Sequence, residues 1–141
     1  MFLAFTGAIS YLGTAVFATL RASWPMAVAS TTLATTSIWY HGTKGVVAYW
    51  VDQAAIQWFV GQALYDAYSR SWGEFAIAAS TVGYACGIYY LGRRWNALAW
   101  GPNADLWHAS IHGVSALVVS GGLLFSSPQD KCGGTRSTSP C

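Results

Sequence analysis

Five stretches of the chain are almost unbroken runs of apolar residues, each closed by a short polar break. They cover residues 2–20, 24–40, 45–65, 72–91 and 104–125. About 20 such residues are needed for a helix to cross ~30 Å of hydrocarbon, so each stretch is predicted to be a membrane-spanning helix. The breaks carry punctuation that ends helices: Arg21 to Pro25, His41-Gly42-Thr43-Lys44, Asp66 to Ser71, and Arg93 to Asn103 with Gly101-Pro102. From Ser126 onward the chain is polar and rich in Pro, Gly, Ser and Thr, which predicts a disordered tail. The expected fold is therefore all-α: a polytopic transmembrane bundle over residues 1–125 and a polar tail over residues 126–141. The first stretch has no positively charged leader and is long for the apolar part of a signal peptide, so it is expected to be a retained helix.

Composition agrees with that pattern. Only 9% of the 141 residues are charged, where a soluble domain has about a quarter. Seven basic and five acidic side chains cannot cover a water-facing exterior of this size. Eight Trp and eight Tyr suit the headgroup level of a bilayer, where amphipathic rings collect. A net charge of +2 without any basic run excludes a nucleic-acid-binding surface. Basic residues are spread too evenly over the loops to orient the chain. Of the three cysteines, Cys86 lies in an apolar stretch, and Cys132 and Cys141 lie in the tail, as two free thiols or one disulfide. There is no CxxC pair to suggest a thiolate metal site.

Against this background one residue stands out. Asp52 falls seven residues into the third stretch, where an ionisable side chain costs about 2.5–3.5 kcal/mol on insertion scales. Such a group persists by facing a cavity, pairing or binding something. The pairing partners to hand are His41, His108 and His112. Ser37 and His41 are four residues apart and share one helical face, as do His108 and His112. Two imidazoles at i and i+4 can reach one metal ion. A third from another helix would complete a three-nitrogen site with an open fourth position, the catalytic pattern for zinc. Taken singly, each of these residues has a blander reading: a packed membrane histidine, a serine bonded to a carbonyl one turn back, an aspartate held by Gln or Trp donors.

Topology tests the constellation independently. His41 ends the second helix on one side of the membrane, and the third helix starts there, with Asp52 roughly 10 Å deep at 1.5 Å per residue. The third and fourth helices together return the chain to that side, where the fifth begins with His108 and His112. An odd number of crossings would have put the histidines on opposite sides. Glu74 belongs to the far face.

Ser37-x-x-x-His41, an Asp eleven residues on at Asp52, and His108-x-x-x-His112 on the last helix resemble the three motifs of the CREST superfamily of membrane hydrolases. That group includes alkaline ceramidases, adiponectin receptors, Per1-like proteins and hemolysin III-related proteins; the Ser–His–Asp spacing and Trp107-His108 look most like the ceramidases. The resemblance implies a zinc ion on His41, His108 and His112 with a bound water, and catalytic roles for Asp52 and Ser37 beside it. It implies a lipid amide substrate, ceramide in the ceramidases, and an endomembrane location. The family usually has seven helices, where this chain supports five. Losing a pair preserves the parity of the site, but then a second subunit supplies the wall of the lipid pocket, or substrate binding has been lost, or this is a partial gene product. The acidic N-terminal cluster that some ceramidases use for calcium is not present.

A second class of function fits the same features: a non-catalytic accessory subunit of a larger membrane complex, retaining a CREST-like helical core. A third is haem or pigment ligation by His41 and one histidine of the last helix, which would leave the other histidine unexplained. The expected partners are membrane lipids, a lipid amide substrate, and a homo-oligomer or larger membrane complex.

Overall fold

The computed structural model describes residues 2–98 and 101–125. The expected tail, with Cys132 and Cys141, lies outside the described residues. Among the described residues the chain is all-helical, with α1 at Phe2–Leu20, α2 at Trp24–Thr43 and α3 at Val46–Arg70. Helix α4 runs over Trp72–Trp95 and α5 over Ala104–Phe125.

Helices α1 and α5 coincide with their apolar stretches, whereas the other three run on into the expected breaks. The segment from Asp66 to Arg70 is helical rather than a loop, because its polar groups are bonded along the helix surface. Gln62 Nε2 donates to Asp66 Oδ1 (2.7 Å), and the Arg70 guanidinium pairs with Glu74 at i+4. Serine 71 alone joins α3 to α4: its backbone is extended, and its Oγ caps α4 by accepting the Glu74 N–H at 3.1 Å. The α2–α3 connection turns at Lys44, which adopts a left-handed conformation (φ 54°) and donates its N–H to Tyr40 O at 2.7 Å. Helix α4 passes through a π-helical segment at Gly87–Leu91. Just beyond, Gly92 admits a close chain reversal, since a Cβ there would lie 2.6 Å from the Ala97 carbonyl oxygen.

Helix α1 packs against both α2 and α5, α2 against α3, α3 against α4, and α4 against α5, so the five close into a ring. Small residues such as Ala18, Ala29, Ala34 and Ala55 let the backbones approach, around larger Tyr11, Met26, Leu33 and Phe59. A few polar residues are buried within this apolar core, and many large apolar side chains lie on the outside. Thr14, Ser30, Thr36, Ser37, Asp52 and His112 are buried, while Phe5, Ile9, Leu20, Val46, Val47 and Leu117 are exposed. By length and composition α4 is apolar enough to cross a membrane on its own, and α1 carries a shorter apolar stretch, Phe5–Leu20.

Candidate metal centre

The three histidines converge. His41 sits in the last turn of α2, and His108 and His112 sit on one face of α5 near its start. A nitrogen from each lies within 4.8 Å of those of the other two, and together they can hold a metal ion. Ring centroids are 5.1 Å apart for His108 and His112, 5.6 Å for His41 and His108, and 6.4 Å for His41 and His112. One helical turn sets the first separation, and the closed ring of helices sets the other two by bringing α2 opposite α5.

Whether the donor set suits a metal can be judged from the nitrogens. His41 Nδ1 and His112 Nδ1 are buried and have no hydrogen-bond partner. Buried ring nitrogens normally find a partner, because leaving one desolvated and unbonded costs about 1–3 kcal/mol. Imidazole nitrogens gathered this closely offer their lone pairs to a shared cation or to a hydrogen-bond donor such as water. The residues present fit a metal ion, and nitrogen-only ligation suits zinc among others.

Each imidazole has a tyrosine ring against it. Tyr40 stands 5.1 Å from His41, Tyr89 6.3 Å from His108 and Tyr11 5.5 Å from His112, centroid to centroid. The π-helical segment of α4 is what carries Tyr89. Tyr11, itself buried, also meets Phe59 edge-on at 5.2 Å, tying the centre into the core.

Asp52 and Ser37 form a second layer. Both are buried, at 3% exposure each, and Asp52 is not among the residues whose ligand atoms cluster. Its carboxylate accepts a hydrogen bond from Thr36 Oγ1 at 3.0 Å, and the Ser37 hydroxyl bonds the same group. The partners of Asp52 are therefore two hydroxyls of α2, not a Gln or Trp donor. The Ser37 hydroxyl faces that carboxylate, and no bond from it to a carbonyl one turn back is present among the described residues. Glu74 stands at the other end of the bundle, paired with Arg70, as expected.

Two contributors had no signature in the sequence, and a third had only a general one. Thr36 is one of several hydroxyls in the run from Ser30 to Ser37, and nothing in the pattern singles it out. Tyr11 is one of eight tyrosines, with no spacing that sets it apart. Gly7 interrupts an apolar helix, which is a signal of close approach, and it faces both His112 and Ser37. A Cβ added to it would lie 3.2 Å from His112 Cε1 and 3.7 Å from Ser37 Oγ.

Comparison with protein-family models, with curated proteins and with solved structures finds no match to this chain.

Proposed function

We propose that this chain is a multi-pass membrane protein with a zinc-dependent hydrolase site for a lipid amide such as ceramide, of the kind found in the CREST superfamily. The observation that carries the proposal is the convergence of His41, His108 and His112 within 4.8 Å, backed by a buried Asp52 bonded to Thr36 and Ser37.

The membrane part draws on the many large apolar side chains exposed on the outside of the bundle and on helix length. At 1.5 Å per residue, even the 19 residues of α1 extend roughly 28 Å, close to the hydrocarbon thickness. Helices α2 and α3 are less apolar than α4 because they carry the polar residues of the interior. In the interior, Thr36 Oγ1 donates to Asp52 Oδ1 and Thr14 Oγ1 to Ser10 O, both at 3.0 Å. On the outer face, Thr31 Oγ1 donates to Ala27 O and Thr35 Oγ1 to Thr31 O, both at 2.9 Å. Satisfied in this way, hydroxyls are tolerated in lipid-spanning helices.

When bound, the ion supplies an acidified water and a Lewis acid for the amide carbonyl. The remaining work falls to the chain. Asp52 takes a proton from the attacking water and returns it to the amide nitrogen, so that the C–N bond breaks with a neutral amine leaving. Thr36 keeps the carboxylate oriented throughout. Ser37 donates a hydrogen bond to the developing oxyanion once substrate displaces it from Asp52. Tyr11 and Phe59 exclude water from below, which strengthens both interactions.

The test is hydrolysis of a short-chain ceramide by the purified chain, with bound metal measured on the same sample. Zinc with turnover supports the proposal. Zinc-free, inactive protein with an intact bundle would favour the accessory-subunit reading, to which exposed Trp50, Trp58 and Tyr65 along α3 lend a ready contact surface.

A further inference from the structure

A cavity of about 330 Å³ lies between α3, α4 and α5 at the end of the bundle away from the histidines. Its inner wall is Met26, Ala67, Ala78 and Leu123, all buried. Its outer edge is Ile77 on α4 and Leu117 on α5, 58% and 74% exposed, so the cavity opens sideways through the face of the bundle. Three charged residues stand at one end: Asp66, Arg70 and Glu74. Asp66 is fourteen residues beyond Asp52 on α3, roughly 21 Å along the helix axis. The cavity and the histidine centre are separate places.

The charges at this end are unevenly matched. Arg70 is paired with Glu74, and its guanidinium lies against α5 where Gly122 has no side chain; a Cβ there would stand 2.9 Å from Arg70 Nη2. Arg70 is therefore occupied. Asp66 has only neutral partners, Gln62 Nε2 at 2.7 Å and Ser23 Oγ at 3.4 Å, and no cation within salt-bridge distance among the described residues. Among the residues that line the mouth, two carboxylates stand against one guanidinium, and the next cation at this end, Arg21, gives its guanidinium to Leu123 O and Leu124 O and not to Asp66. A half-buried carboxylate beside an apolar cavity, held by neutral donors and lacking a counter-cation, favours a ligand that brings one.

From this geometry we infer a second ligand site, for a single-chain amphiphile with a cationic amine head. The alkyl chain fills the apolar cavity and the ammonium bonds Asp66. The volume is at the small end of ligand pockets, which span about 300–1,000 Å³, so it takes one chain and not the two of a diacyl lipid. The lateral opening between Ile77 and Leu117 lets the chain enter from an apolar phase without passing through water. Binding here requires neither a metal at the histidines nor hydrolysis.

The experiment is native mass spectrometry of the full chain in detergent with dodecylamine, dodecanol or dodecyl sulfate as probe. One dodecylamine per chain is expected, with dodecanol and dodecyl sulfate held at least tenfold more weakly. In Asp66→Asn the amine and the alcohol should bind alike. Ala78→Leu, which fills the cavity from α4, should lose both, with helical circular dichroism reporting that each variant is folded. Equal binding of amine and alcohol by the native chain would overturn the site, as would an amine preference that survives Asp66→Asn. Should Asp66→Asn fail to fold, Ala78→Leu alone decides: retained amine binding there overturns the site. A chain that binds amine but neither zinc nor ceramide would refute the hydrolase and leave this site standing. A zinc-bearing, active chain without amine preference would do the opposite.

Discussion

Gly7 on α1 lies so close to His112 on α5 that a single added methyl group would sit 3.3 Å from the imidazole Nδ1. That distance is shorter than a comfortable contact, and the ring is already held on another side by Tyr11. Gly7→Ala is therefore expected to push His112 by a few tenths of an ångström. Zinc affinity should fall by about 10–100-fold, the usual consequence of disturbing what orients a ligand. A zinc titration of the purified variant checks this; unchanged affinity would show that the ring moves freely.

Thr36 and Asp52 provide a test of positioning. Thr36→Val removes the hydroxyl that donates to Asp52 Oδ1 while keeping the shape of the side chain. Ceramide hydrolysis is expected to fall on the order of 10- to 100-fold through kcat, with KM little changed. Thr36→Ser restores the donor and should recover most of the rate. A merely structural threonine would show equal losses in both variants, together with lowered thermal stability.

Asp52→Asn asks whether the carboxylate handles protons. Asparagine keeps the size and can still accept from Thr36, so the bundle and its metal should be retained. Turnover should drop by about 10²–10⁴-fold, the usual contribution of a general base. Full turnover in this variant would remove Asp52 from the mechanism.

The proposed topology makes a separate prediction. With the three native cysteines replaced by serine, Lys44→Cys and Asn103→Cys should react with an impermeant thiol reagent from the same side of a sealed vesicle. Ser69→Cys should react only from the other side. Labelling of all three from one side would contradict a multi-pass chain.

Much of this site is legible in the sequence, and the reason is periodicity. His108 and His112 share a face because a helix returns every 3.6 residues, and the two intervening helices α3 and α4 bring the chain back to the end of the bundle where His41 lies. The helix count and the limits of α1 and α5 follow from hydrophobic stretches alone. The ends of α3 did not: the segment from Asp66 to Arg70 is polar enough to read as a loop, and stays helical with Gln62 bonded to Asp66 and Arg70 paired with Glu74, each at i+4. What the sequence hides is the supporting layer. Thr36, Tyr11 and Gly7 gain their roles only when α1 is packed against α2 and α5, a long-range relationship that no local pattern encodes. Asp52 was conspicuous as a charge in an apolar helix, yet its hydroxyl partners on α2 could be told from their neighbours only after the α2–α3 turn fixed the facing registers.

The central claim is that His41, His108 and His112 ligate one zinc ion. Elemental analysis of the purified chain beside His112→Ala measures it most directly. The expected result is about one zinc per chain in the native protein and essentially none in the variant, with helical content preserved in both. A native chain that is folded and takes up no zinc, even when zinc is supplied in excess, would contradict it.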